Sequence, residues 1–183
     1  MSRTIALTGM PGAGKSTVGA LVAARLGRHF VDVDEAIEEA IGKPISTIVA
    51  EAGIAYFREY EHQMIRKVLR HDDLVVGLGG GAVLQDANVA ELLLTGVLVH
   101  LEVSVPTLLA RLDGREVAKR PLLAGDAEQQ LRRLHDDRIE RYHEVAEVTI
   151  DASGAPDDVA DAVLAWARQA GDVLTPSEHE VTM

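Results

Sequence analysis

The sequence predicts an α/β fold in which helices cover both faces of a mostly parallel sheet, a three-layer α/β/α sandwich. Short apolar runs alternate with helical patterns, as expected of strands joined by helical crossovers. Two of these runs, at residues 74–76 and 97–99, are continuously hydrophobic, which is typical of strands buried on both faces. The apolar runs lie at residues 4–8, 29–33, 74–78, 97–101 and 147–150.

Length and composition indicate one domain and argue against nucleic acid and anionic membranes as partners. The 183 residues are 47% hydrophobic, enough for one sizeable core, and we assign residues 1–171 to a single domain. The net charge of −11 opposes binding to nucleic acid and to anionic membranes. The chain has no cysteine, no apolar run of about 18 residues and no targeting pattern, so we expect a cytoplasmic protein.

The first strand leads into a loop that matches the pattern G-x-x-x-x-G-K-[ST] at residues 9–17, here called the phosphate loop. Glycines let successive backbone N–H groups point at one centre, and the helix that follows adds unpaired donors and a positive dipole end. This predicts a polyphosphate site, with Lys15 as the cation for the β- and γ-phosphates and the Ser16 hydroxyl as a ligand for Mg²⁺. The predicted ATP-binding residues of this loop are Gly12, Ala13, Gly14, Lys15, Ser16 and Thr17.

The second strand ends at two aspartates, Asp32 and Asp34. Because side chains alternate along a strand, both should face the same side at the carboxyl edge, where open α/β sheets bind ligands. We expect Asp32 to support Mg²⁺ and Asp34 to accept a hydrogen bond from a substrate hydroxyl. The alternative is that the pair only caps the next helix, a short one from Glu35 to Ile41.

A third strand runs into Gly79, Gly80 and Gly81, here called the glycine wall. Three glycines in a row cost backbone entropy unless something must approach the main chain closely, so the wall is predicted to face a ligand. The alternative is a plain turn. In the helix predicted from residue 54 to 69, Arg58 and Glu61 are three positions apart, so Glu61 can aim the guanidinium at a carboxylate, unless the two form only a surface ion pair.

Basic residues are concentrated between positions 111 and 141, after a helix predicted from about residue 86 to 95. The part from about residue 112 to 124 resembles a mobile lid that could bring a guanidinium group to the transferring phosphoryl group. Beyond residue 125 a solvated helix face is an equal alternative, because seven acids share the span. The basic residues are Arg111, Arg115, Lys119, Arg120, Arg132, Arg133, Arg138 and Arg141.

The last predicted helix starts with Pro156 in its first turn and buries an apolar face that closes the core. After Gly171 the helical pattern stops. We therefore predict that residues 172–183 form a polar C-terminal tail, to which no function is assigned.

In combination and in order, these motifs resemble the shikimate kinase family over about residues 3–170. The resemblance implies a five-stranded parallel sheet of the P-loop nucleoside-monophosphate-kinase type with a lid. It also implies phosphorylation of the 3-hydroxyl of shikimate by MgATP, on the route to chorismate. The motifs are the phosphate loop, Asp32-Val33-Asp34, Phe57-Arg58-Glu59-Tyr60-Glu61, Gly79-Gly80-Gly81-Ala82-Val83 and Arg120-Pro121-Leu122-Leu123.

The resemblance also implies roles for single residues. Ser16 and Asp32 would serve the metal, and Lys15 and Arg120 the phosphates, so that Lys15, Asp34 and Arg120 form the catalytic set. The shikimate ligands would be Asp34, Arg58, Gly79, Gly80, Gly81 and Arg138.

This chain departs from the family pattern at two places. It has Arg138-Ile139-Glu140-Arg141-Tyr142 where the family usually reads Arg-x-Pro-Leu-Tyr, so Arg138 is matched through its arginine and tyrosine alone. Its lid is also longer than usual. This leaves open whether Arg111 or Arg115 lies against adenine.

Two other kinds of protein would use the same phosphate loop. A gluconate kinase or a nucleoside monophosphate kinase would share it, although a nucleotide acceptor favours a stacking surface and only 3% of the residues are aromatic. A non-catalytic nucleotide-binding switch is a further alternative, against which stands the lack of an Asn-Lys-x-Asp segment. A monomer is expected from the resemblance alone.

Overall fold

A computed structural model, which describes residues 2–112 and 126–181, contains one five-stranded sheet with every strand parallel to its neighbours. The spatial order is β2-β3-β1-β4-β5, with helices on both sides. This confirms the predicted fold class. The strands are β1 (Thr4–Thr8), β2 (His29–Asp32), β3 (Leu74–Gly77), β4 (Gly96–Glu102) and β5 (Val148–Asp151).

Helices fill the connections between the strands, and a 3₁₀ turn at Ala82–Leu84 follows the glycine wall. The helices are α1 (Lys15–Leu26), α2 (Val33–Ile41), α3 (Ile45–Ala52), α4 (Ile54–Val68), α5 (Asp86–Thr95), α6 (Val105–Arg111), α7 (Ala127–Val145), α8 (Pro156–Gln169) and α9 (Pro176–Val181). Among the described residues, no helix is both long and apolar enough to cross a membrane.

The core lies around β1, the central strand, where every residue is buried. Helices α1 and α8 pack against each other, and α1 also contacts β2 and β3. Helices α5 and α7 contact β4. Burial on both faces explains why the central strands are continuously apolar.

Register brings the ends of three neighbouring strands to one level. Gly77 of β3 pairs with Leu7 of β1 on one side and with Asp32 of β2 on the other. The phosphate loop, Asp32 and the glycine wall therefore leave the sheet side by side at its carboxyl edge. Motifs that are far apart in sequence are neighbours there.

The segment after Gly171 differs from the predicted polar tail. Val173 and Leu174 are buried, and helix α9 follows them. Arg28, whose side chain is only 1% exposed, donates from Nε to Glu178 Oε1 at 2.7 Å. The segment docks because it offers two apolar side chains and a carboxylate to a buried guanidinium, a match that a polar composition does not reveal.

Candidate active site

A cleft of about 740 Å³ opens at the carboxyl edge of the sheet. The phosphate loop forms one side of it, and the glycine wall with residues of α4 and α7 forms another. All predicted site residues among the described part of the chain line this cleft: Gly12, Ala13, Gly14, Lys15, Ser16, Thr17, Asp32, Asp34, Arg58, Gly79, Gly80, Gly81 and Arg138.

The phosphate loop has the backbone conformation that its glycines permit. Gly12 and Gly14 have φ values of +83° and +94°, in the left-handed region that other residues rarely adopt. Helix α1 begins directly after Gly14, at Lys15. The Lys15 ammonium donates to the carbonyl oxygens of Gly9 at 2.9 Å and Met10 at 3.0 Å, so it is held across the loop.

Ser16, in the first turn of α1, lies beside Asp32 at the end of β2. The Ser16 hydroxyl donates to Asp32 Oδ2 at 2.5 Å, while Asp32 Oδ1 accepts from the backbone N–H of Asp34 at 3.0 Å. Asp32 therefore caps α2, the alternative considered above, and also presents an oxygen beside the Ser16 hydroxyl. Two adjacent oxygen donors are the kind of ligand set that Mg²⁺ takes in proteins.

Asp34 reaches the cleft by a different route from the one predicted. The strand ends at Asp32 and α2 begins at Val33, so alternation along a strand, the predicted reason for its direction, is wrong. Asp34 lies in the first turn of α2 instead. A Cβ atom placed on Gly79 would lie 2.7 Å from Asp34 Oδ1, so this carboxylate lies against the glycine wall.

The predicted pairing of Arg58 with Glu61 is confirmed. Arg58 Nη1 donates to Glu61 Oε2 at 2.7 Å, and the Glu61 side chain is fully buried while that of Arg58 is 21% exposed. Desolvation by burial raises the pKa of Glu61 from 4.5 to about 7, although the Arg58 guanidinium opposes the shift. The pair is therefore largely buried, unlike the surface ion pair considered as the alternative.

The glycine wall lets guanidinium groups approach the main chain. A Cβ on Gly81 would lie 2.1 Å from Arg58 Nη2, and one on Gly80 would lie 3.2 Å from Arg138 Nη1. Arg138 is only 5% exposed. Two guanidinium groups from different helices thus converge on one backbone segment, which leaves little space for any side chain there.

Helix α7 also contacts the glycine wall and the 3₁₀ turn after it through two residues with no predicted site role. Tyr142, fully buried one turn after Arg138, donates its hydroxyl to the Gly80 carbonyl at 2.5 Å. Burial raises the pKa of Tyr142, which keeps the hydroxyl a donor. Arg141 donates from Nε to the carbonyl of Val83 at 3.0 Å. The only sequence signal for Tyr142 was its place in the family motif.

Arg120 and most of the predicted lid lie outside the described residues, as does Arg115. Arg111, at the end of α6, lines the cleft, and its Nη2 donates to the carbonyls of Ala152 at 2.8 Å and Ser153 at 3.0 Å. Its guanidinium is thereby fixed at the rim.

The chain is similar in sequence to known kinases. The family model described as shikimate kinase matches residues 11–168. The shikimate kinase of Chlorobium luteolum is 42% identical over 151 residues, which cover 78% of this chain and 74% of that protein.

The chain is more similar to a solved shikimate kinase structure than to a solved gluconokinase structure. Shikimate kinase from Acinetobacter baumannii, in complex with shikimate, has a TM-score of 0.89 and 36% identity, covering 93% of this chain and 96% of its own. A gluconokinase from Sinorhizobium meliloti has a TM-score of 0.63 at 20% identity, covering 92% of this chain and 93% of its own, which is a likeness of fold alone. Together with the matched family model and the relative at 42% identity, this establishes that the chain belongs to the shikimate kinase family.

Proposed function

We propose that this protein transfers the γ-phosphoryl group of MgATP to the 3-hydroxyl of shikimate, giving shikimate 3-phosphate and ADP. The observation that carries the proposal is the convergence of Arg58, Arg138 and Asp34 on the glycine wall, in the same cleft as the phosphate loop. An anion and a hydroxyl can thus be bound next to a polyphosphate.

The acceptor binds through its carboxylate and its hydroxyl groups. Arg58 and Arg138 bind the carboxylate, because guanidinium forks match carboxylate geometry and two of them hold one ring in a fixed orientation. The hydrogen bond that Arg58 donates to Glu61 keeps the guanidinium aimed at the cleft. Asp34, against Gly79, accepts a hydrogen bond from the reacting hydroxyl.

The phosphate loop binds the nucleotide. Its backbone N–H groups and the N-terminus of α1 bind the phosphates, and Lys15 leaves its two carbonyl partners to neutralise the β- and γ-phosphates. Ser16 and Asp32 would hold Mg²⁺, which supplies charge neutralisation on those phosphates when bound. A contribution from Arg120 to the charge of the transferring group stays a prediction.

In the transfer, the 3-hydroxyl oxygen forms a bond to the γ-phosphorus and the bond from that phosphorus to the β,γ-bridging oxygen breaks. ADP leaves with the electron pair of the broken bond, and Asp34 takes the hydroxyl proton. Positioning and charge stabilisation account for most of the rate, because the protein forms no covalent bond in this chemistry.

A turnover assay with a panel of acceptors tests the proposal. ADP formation from ATP is measured with shikimate, gluconate and AMP in turn, and the phosphorylated product is identified by mass spectrometry. Shikimate should be phosphorylated with the highest kcat/KM. Preferential turnover of gluconate or AMP, or nucleotide binding with no turnover of any acceptor, would overturn the assignment.

The variant Asp34→Asn tests the role of the carboxylate. Loss of the proton acceptor should lower kcat by about 10²- to 10⁴-fold, the usual contribution of general acid–base catalysis. The matched control is Asp158→Asn, an exposed position in α8. Normal turnover in the Asp34 variant would show that the carboxylate has no such role.

The remaining assignments are proposals of the same kind. The resemblance supports a single domain over residues 1–171 with a lid at about 112–124 and the monomeric state, and the segment with buried Val173 and Leu174 packs onto that domain. The lack of cysteine in the sequence agrees with a cytoplasmic location.

A further inference from the structure

His100, Glu102 and His143 form a cluster that phosphoryl transfer does not use. One ligand atom of each residue lies within 4.8 Å of the others. Their exposure is graded, because His100 is buried, Glu102 is half-buried and His143 is exposed. The cluster thus has a fixed floor and an opening to solvent.

The fold brings these side chains together in a simple way. His100 and Glu102 are two positions apart on β4, so both point to the same side of the sheet. His143 comes from α7, and its Nε2 lies 2.9 Å from Glu102 Oε1. The rings of His100 and His143 meet edge to face, with centroids 5.3 Å apart.

We propose that His100, Glu102 and His143 bind one divalent transition-metal ion of the zinc class. Two imidazoles and one carboxylate are a ligand set that zinc takes in proteins, with a fourth position left for water. Zinc–ligand bonds of about 2.0–2.1 Å at tetrahedral angles require ligand atoms roughly 3.3 Å apart. The ligand atoms of the three residues would have to approach one another by about 1.5 Å at most. Rotations of the solvent-accessible Glu102 and His143 side chains can supply this movement.

The surroundings favour a bound cation. Thr149 Oγ1 lies 3.5 Å from His100 Nδ1, where it can orient the ring as an outer-sphere partner. A neighbouring cavity of about 590 Å³ reaches Glu102 from solvent. Its lining carries the three carboxylates of Glu102, Asp136 and Asp151 beside the Arg132 guanidinium and the His135 imidazole, so the carboxylates outnumber the guanidinium group along this route.

Metal binding at this cluster is linked to the active site through Tyr142. Its ring packs on that of His100, with centroids 4.9 Å apart, and its hydroxyl donates to Gly80. A metal that ties β4 to α7 therefore restrains the helix that carries Arg138. Any effect of this restraint on turnover rests on the proposed function, whereas binding of the metal does not, so the two can fail separately.

The test is a zinc titration of the full-length protein in excess Mg²⁺, with a chromophoric chelator as competitor. The unmodified protein should bind one equivalent of zinc. His143→Ala and Glu102→Gln should each weaken binding at least tenfold, while His71→Ala, which removes an exposed histidine outside the cluster, should leave it unchanged. Circular dichroism verifies that each variant is folded.

Substitution with Co²⁺ gives a second readout. The unmodified protein should show the visible absorption of four- or five-coordinate cobalt with nitrogen ligands, and His143→Ala should lose it. The proposal is overturned if no equivalent of zinc binds, if both variants bind as tightly as the unmodified protein, or if His71→Ala abolishes binding.

Discussion

Glu61 shows how closely the charge of one side chain depends on its surroundings. Burial raises its pKa to about 7, the Arg58 guanidinium lowers it, and the Asp34 carboxylate raises it. Near neutral pH a large fraction of this carboxyl group is protonated. The ionic bond that orients Arg58 is therefore complete only on the alkaline side of neutrality.

We predict that the KM for shikimate falls as the pH rises from about 6 to 8, because ionised Glu61 holds Arg58 more firmly. A hydrogen bond to a charged group contributes about 1.5–3 kcal/mol. Glu61→Gln should therefore raise KM about tenfold or more at pH 8 and remove most of its pH dependence. Steady-state kinetics across this range check both effects, and an unchanged profile in the variant would contradict the assignment.

The raised pKa of Glu61 also makes the free energy of unfolding depend on pH. Because the folded pKa lies above the ordinary value of 4.5, the folded protein binds more protons than the unfolded chain between about pH 4.5 and 7. The contribution of Glu61 to the free energy of unfolding thus falls as the pH rises through this window. Urea unfolding should show this fall relative to Glu61→Gln, whereas Glu128→Gln, at an exposed ion pair, should track the unmodified protein.

Arg141 stands where the family usually has leucine, and here it ties α7 to the turn behind the glycine wall. It bonds the Val83 carbonyl and pairs with Asp86 and Glu144. We predict that Arg141→Leu raises the KM for shikimate about fivefold, the equivalent of about 1 kcal/mol for a lost hydrogen bond, with the KM for ATP unchanged.

Arg132→Leu is the matched control for Arg141→Leu, because Arg132 lies on the same helix and pairs only locally with Glu128 among the described residues. It should leave both KM values unchanged. Arg141→Leu could instead alter the KM for shikimate and the KM for ATP equally, or leave both unchanged. Either result would show that the Arg141 guanidinium has no specific effect on the shikimate side of the cleft.

Contacts could be predicted from the sequence only where they are local. Arg58 and Glu61 are one helical turn apart, so spacing alone places them together. The bond from Tyr142 to Gly80 joins residues 62 positions apart, and only the packing of α7 against the wall creates it. Alternation along a strand cannot place Asp34, because β2 ends at Asp32, and Asp34 reaches the cleft from the first turn of α2.

At the scale of elements, the packing of α1 on β2 depends on a glycine within the helix. A Cβ on Gly19 would lie 2.3 Å from Phe30 Cε2. Glycine within a helix normally lowers the free energy of unfolding by about 0.5–1 kcal/mol relative to alanine. A glycine at position 19 is therefore explained by packing against Phe30 and not by helix propensity.

We predict that Gly19→Ala destabilises the protein by about 1–3 kcal/mol, the usual cost of overpacking, despite the gain in helix propensity. Combining it with Phe30→Leu should restore part of the loss, because the shorter side chain vacates the space. Gly154→Ala, where a Cβ meets nothing within 4 Å, is the control. Urea unfolding measures all of these, and a stabilised Gly19→Ala would contradict the packing argument.

Elements with strong apolar patterns were predictable, and short polar ones were not. The strands and α8 follow from their apolar residues to within a residue or two. Helix α3 was missed because only Ile48 among its residues is buried, which leaves little periodicity to detect. Helix α9 has six residues of mostly polar character, and its docking depends on Arg28.

At the scale of the whole molecule, the carboxyl edge of the sheet forms the cleft, while the amino edge holds a buried ion pair. The cleft lies where the strands end. Arg28 precedes β2 and bonds the carbonyl of Arg3, just before β1, so it lies at the opposite, amino edge. Changes at that edge should therefore affect stability without changing the chemistry.

The buried ion pair between Arg28 and Glu178 allows this separation to be tested. Glu178→Ala leaves a buried guanidinium without its carboxylate, so we expect a loss of about 3–5 kcal/mol in the free energy of unfolding, measured with urea. Glu180→Ala, an exposed position on the same helix, should cost far less. The pair Arg28→Met with Glu178→Leu should recover part of the loss, since apolar side chains can replace a buried ion pair, while the carbonyls of Arg3 and Val173 lose their donor. At temperatures where each variant is folded, kcat and both KM values should stay unchanged; altered kinetics in Glu178→Ala would show that the amino edge is coupled to the cleft.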